Sequence, residues 1–78
     1  MTADIETRVR QVLAEILGID APAVGDATSM DTVEQWDSAN HISLVLALEE
    51  EFGVSFDVSE IEAMISFPDV VAGVLAKL

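Results

Sequence analysis

The chain has 78 residues, 51% of them hydrophobic, with fifteen acidic side chains against three basic ones and a formal net charge of −12. One small domain over residues 1–78 is expected, its single core contributing only roughly 3–5 kcal/mol; with no cysteine and one histidine, disulfides, thiolate zinc sites and histidine metal clusters are excluded. Charge of this sign repels nucleic acid and anionic membranes, and the polar N-terminus and lack of an apolar run near ~18 residues predict a cytoplasmic monomer with no signal peptide and no membrane insertion.

The spacing predicts an all-α fold of four helices. Asp4 is placed to cap the first, whose apolar stripe is Ile5, Val9, Val12, Leu13, Ile16 and Leu17. Gly18 follows as a left-handed C-terminal cap. Residues 19–37 form a long link, with a single turn expected at Asp20 and Pro22. Ile19, Val24, Met30, Val33 and Trp36 are available to pin it to the helices. The second helix runs from about Ser38 to Phe52 and ends at Gly53. Val54, Phe56 and Val58 alternate in an extended connector, too short for a sheet.

Ser59 and Glu62 have capping-box spacing, which predicts a short third helix from Ser59 through about Ile65. Ser66, followed by Pro68 in the first turn, starts a fourth with the apolar face Val70, Val71, Val74, Leu75 and Leu78. The expected architecture is a small four-helix bundle with one long first connection.

Helix two has more apolar residues than one face requires. Leu44, Val45, Leu48 and Phe52 make a core stripe. Ile42 and Leu46 are rotated away from Leu44 and Leu48, so they either widen the core face or stand partly exposed. With Glu49, Glu50 and Glu51 beside them, an exposed apolar ridge would suit a partner with an apolar groove and a basic rim.

Ser38 is the one credible attachment or reaction point. Asp37 and Ser38 are both good N-cap residues, and Trp36 is placed to pack on His41 across the cap. Asp37, Ser38 and His41 lie within four residues, but a triad needs its base between acid and serine, with oxyanion donors and a pocket. No glycine-rich elbow surrounds the serine, so a hydrolase is disfavoured. Asp26–Asp37 has the length of a calcium loop. Asp31 stands where glycine is required, and Asp37 where a bidentate glutamate is, so no metal site is expected. An exposed hydroxyl at a helix N-terminus favours an anion, because free N–H groups and the helix dipole point at it. A phosphodiester on Ser38 would suit that position.

The run Asp37-Ser38-Ala39-Asn40-His41-Ile42, continuing Leu44-Val45-Leu46-Ala47-Leu48-Glu49-Glu50-Glu51-Phe52-Gly53-Val54, closely resembles acyl carrier proteins. There an Asp-Ser-Leu motif opens the second helix, which ends in glutamates followed by Phe-Gly. The likeness covers nearly the whole chain, including Leu17-Gly18-Ile19 and the short third helix. It implies that Ser38 carries 4′-phosphopantetheine transferred from coenzyme A by a separate phosphopantetheinyl transferase, with Asp37 in the transferase's recognition motif. The arm's thiol would hold an acyl group as a thioester, making the protein a non-catalytic carrier.

The same resemblance makes helix two the recognition helix for acyl-loading and acyl-processing enzymes with basic surfaces, through Ala39, Ile42, Leu46, Glu49 and Glu50. It also suggests an acyl pocket lined by Leu44, Val45, Leu48, Phe52 and Ile61. Ala39, Asn40, Ser43, Trp36 and His41 depart from the common pattern. The carrier class implies fatty-acid, polyketide or related lipid biosynthesis; the departures point away from a housekeeping fatty-acid carrier and toward a specialised one, in polyketide, modified-lipid or amino-acid systems. The alternative is an acidic helical interaction module with no prosthetic group.

Overall fold

The computed structural model describes residues 2–78, with helices α1 (Thr2–Leu17), α2 (Ser38–Phe52), α3 (Val58–Ala63) and α4 (Phe67–Lys77). A single 3-10 turn, Ala21–Ala23, follows Asp20 as expected, and Pro22 lies within it. α1 packs on both α2 and α4. The core between them is Val9, Leu13, Leu17, Leu44, Val45, Leu48, Val70, Val71 and Val74, closed by Val24, Trp36, Phe56, Met64 and Phe67. The all-α four-helix architecture agrees with the sequence pattern.

Two helix ends form as the glycines require. Gly18 and Gly53 have φ of 70° and 65°. Ile19 N–H reaches back to Ala14 O at 3.0 Å and Val54 N–H to Glu49 O at 3.2 Å. These six-to-one bonds satisfy carbonyls that the helix ends would otherwise leave unpaired.

Several boundaries differ from expectation. α1 already begins at Thr2, so Asp4 lies inside its first turn. There it favours the positive end of the helix dipole rather than capping it. The capping box of α3 is formed by Asp57 and Glu60, not Ser59 and Glu62. Asp57 Oδ1 accepts from Glu60 N at 2.8 Å, and Glu60 Oε1 accepts from Asp57 N at 2.9 Å. Both pairs have the motif's spacing, but only the Asp57 start also delivers Glu60 to Lys77, at 2.8 Å. α3 stops at Ala63 instead of Ile65: the chain leaves helical geometry at Met64, with φ −86° and ψ 69°, and the Ile65 carbonyl accepts from Met30 N at 2.9 Å. Ser66 caps α4 through Asp69 N at 3.2 Å. The face of α4 is buried through Val74, but Leu75 is at its edge and Leu78 lies past the helix end, 38% and 63% exposed.

The long link is tied down by polar as well as apolar contacts. Val24 and Trp36 are buried, and Ile19, Met30 and Val33 pack partly against the core. Thr28 Oγ1 accepts from Gly25 N at 2.8 Å, and Thr28 O accepts from Phe67 N at 2.9 Å. Arg10 donates to Val24 O at 3.1 Å while its guanidinium lies 5.0 Å from the Phe67 ring centroid. Ser29 forms an isolated antiparallel bridge with Ser66. These bonds satisfy backbone groups that a structureless link would leave open.

Candidate functional site

The site is built on the N-terminus of α2. Asp37, in extended conformation at the N-cap, accepts from Asn40 N at 2.8 Å. Asn40 Nδ2 donates to Gln35 O at 2.6 Å, which holds the approaching link. Capping therefore belongs to Asp37. Ser38 is the first helical residue; its side chain is exposed and its hydroxyl has no hydrogen-bond partner among the described residues. The backbone N–H groups that open a helix have no partner within it, and they converge on this end.

Behind Ser38 the chain builds a polar connection through the bundle. Trp36 is 2% exposed and donates from Nε1 to Nδ1 of His41 at 3.0 Å. His41 Nε2 lies 2.8 Å from Ile61 O on α3. An indole N–H only donates and a carbonyl only accepts, so these partners assign the imidazole proton to Nε2. Both ring nitrogens are engaged, and neither is available as a base for Ser38. The predicted Trp36–His41 contact is present, but as a hydrogen bond rather than an apolar staple.

Ser38 opens onto a cleft of about 360 Å³ between the link, α2 and α3, lined by Met30, Ser38, His41, Ile42, Val58, Ile61 and Glu62. Of the pocket candidates, only Ile61 lines it. Leu44, Val45 and Leu48 are buried in the core behind, and Phe52 is half-buried under the Arg8 guanidinium, 4.5 Å from its ring centroid. Met30, Val58 and Glu62 were legible in sequence only as a pin, a connector residue and a capping candidate. Nothing in their spacing assigns them to Ser38, because three separate segments bring them together.

The exposed side of α2 carries the recognition candidates. Residues 38, 42 and 46 succeed one another on one helix face. Ile42 and Leu46 are 54% and 60% exposed, so they do not complete the core face. Ala39 and Glu50 are also exposed. Glu49 is half-buried, and its Oε2 accepts from Phe56 N at 2.8 Å, holding the connector to α3. Glu50 and Glu51 edge a second groove of about 360 Å³ with Val12, Glu15, Ile16 and Ala47. Arg8 binds Glu51 there, at 3.0 Å.

Comparison with known proteins agrees with this geometry. Residues 7–73 match the family model described as "Phosphopantetheine attachment site". The chain is 33% identical over 69 residues to an acyl carrier protein of Sinorhizobium fredii (strain NBRC 101917 / NGR234), covering 88% of each chain. It has the same identity and coverage with the acyl carrier protein AcpP of Rhizobium meliloti (strain 1021).

Proposed function

The chain belongs to the acyl carrier protein family of phosphopantetheine-attachment domains, whose members are non-catalytic carriers bearing 4′-phosphopantetheine, and we propose that Ser38 is its attachment residue. One observation carries this reading: the Ser38 hydroxyl is exposed and uncommitted at the start of α2, beside a mainly apolar cleft. The residues present fit the group. A phosphodiester on Ser38 Oγ would sit at the helix end that favours an anion. Asp37 shapes the backbone around the hydroxyl and forms part of the transferase's recognition motif. When bound, the arm supplies the thiol that holds an acyl group as a thioester.

On this reading residues 1–78 form one acyl-carrier domain, a cytoplasmic monomer, that presents acyl intermediates to enzymes of fatty-acid, polyketide or related lipid biosynthesis. Its partners are a phosphopantetheinyl transferase and acyl-loading and acyl-processing enzymes with basic surfaces. Ala39, Ile42, Leu46, Glu49 and Glu50 form the recognition helix. Exposed apolar groups on a strongly acidic background support that assignment. Glu49 contributes to it partly by fixing the connector. Ile61, with Met30, Ile42 and Val58, borders the cargo's first resting place.

The test is intact-mass analysis after incubation with coenzyme A and a promiscuous phosphopantetheinyl transferase. The wild-type protein should gain one phosphopantetheine mass and Ser38→Ala should gain none. Failure of the wild type to gain mass, or a gain that survives the substitution, overturns the proposal. A partner that binds Ser38→Ala as tightly as wild type treated with coenzyme A and the transferase would favour the interaction-module alternative.

A further inference from the structure

The seam between α2 and α3 at the floor of the cleft is bonded shut. His41 stands one turn beyond Ser38 and one turn before Leu44 and Val45 on the buried side of α2. Its ring crosses to α3 at Ile61 O, 2.8 Å away, and is held from the other side by Trp36 Nε1 at 3.0 Å. Past the ring the interior is filled: Leu44 and Leu48 are 0% exposed, Trp36 and Met64 2%. The polar atoms of this strap satisfy one another inside a low-dielectric interior, where parting them leaves a buried donor and acceptor unpaired. An acyl chain lying in the cleft beside Met30, Ile42, Val58 and Ile61 therefore meets the His41–Ile61 bond before the core, and passing between α2 and α3 there breaks it and moves a ring that Trp36 holds in place.

We propose that the Trp36–His41–Ile61 strap determines cargo length, restricting the protein to acyl groups short enough to rest in the open cleft and keeping longer chains out of the bundle. The proposal rests on Ser38 as the attachment residue. It makes His41 a specificity-determining residue that acts by position rather than by chemistry. The cleft is lined mainly by apolar side chains, with Glu62 the charged residue among them, and so suits a short alkyl acyl group that ends before the strap.

The experiment compares wild type, Trp36→Phe/His41→Leu and His41→Gln. Replacing both members of the buried side-chain pair by apolar groups avoids an orphaned donor. The Ile61 carbonyl keeps a bond from Met64 N, at 3.3 Å. Each protein is loaded from acetyl-, butyryl-, octanoyl- and dodecanoyl-coenzyme A by the transferase, and loading is checked by intact mass. Tm and the half-life of the thioester toward hydroxylamine are then read against chain length.

Wild type should give a flat profile, and the double variant a Tm several degrees higher and a several-fold longer half-life for octanoyl than for acetyl. His41→Gln, which keeps a donor for Ile61 O, should stay flat. Progressive protection with chain length in the wild type overturns the proposal, whatever the variants do. A double variant that folds and shows none also overturns it. Unloaded proteins are titrated with Nile red, a neutral apolar dye, for which the double variant should show several-fold greater uptake; equal uptake counts against the strap. Failure of every protein to load, with the dye contrast intact, defeats Ser38 attachment and leaves the closed seam supported.

Discussion

Asp37 holds the start of α2 through Asn40 N, which leaves the neighbouring Ser38 hydroxyl uncommitted. Loss of an N-cap costs about 1 kcal/mol, whereas an exposed change away from such a feature stays within about 0.5 kcal/mol. Asp37→Ala should therefore lower unfolding free energy by about 1 kcal/mol in urea titration, and Ser38→Ala should leave it nearly unchanged. An equal loss for both would return the cap to Ser38. In sequence the two residues are interchangeable as caps, and only the backbone geometry separates them. His41 shows a similar limit. Its presence near Ser38 was legible, but its acceptor is a main-chain carbonyl twenty positions away, which no side-chain pattern encodes.

At the scale of elements, apolar spacing placed α1, α2 and α4, a capping-box motif placed α3, and glycine marked two of the ends. The left-handed φ of 65° at Gly53 penalises any Cβ. Gly53→Ala should destabilise by about 1–2 kcal/mol, measured as a lower denaturation midpoint at an unchanged slope. The start of α3 was harder to read because Asp57 with Glu60, and Ser59 with Glu62, fit the same motif. Lys77, from the far end of the chain, favours the former.

The Lys77 ammonium and the Asp57 backbone N–H hold the Glu60 carboxyl below its usual 4.5. A depressed folded value means that this interaction stabilises fully above the usual carboxylate range. It is lost as pH falls through the lowered value. The stability gap between wild type and Glu60→Gln should accordingly be largest at neutral pH and vanish in acid, as followed by urea titration across that range. A gap that widens in acid would contradict the pairing.

Across the whole molecule, charge is the dominant unbalanced term. The three basic side chains are all engaged: Arg8 with Glu51, Lys77 with Glu60, and Arg10 with Val24 O and Phe67. Most of the fifteen carboxylates therefore have no basic side chain paired with them among the described residues. The molecule extends 28 × 26 × 18 Å, so at about 0.01 M salt, with a screening length of about 30 Å, each charge feels nearly all the others. At about 0.1 M that length falls to about 10 Å. Tm should rise on adding sodium chloride over this range, and a flat response would show that self-repulsion is unimportant.

This balance was readable from composition alone. The cleft was not, because it is assembled from the link, α2 and α3, whose relative placement depends on bonds such as Met30 N to Ile65 O. One of its supports also makes the protein self-reporting. Trp36 is the sole tryptophan, is nearly dry, and has its indole N–H on an imidazole that lies across the α2–α3 seam. Its emission should be blue-shifted in the native protein and move to the red when that seam parts. Opening of the cleft floor can thus be timed optically, without a label and on the unaltered chain.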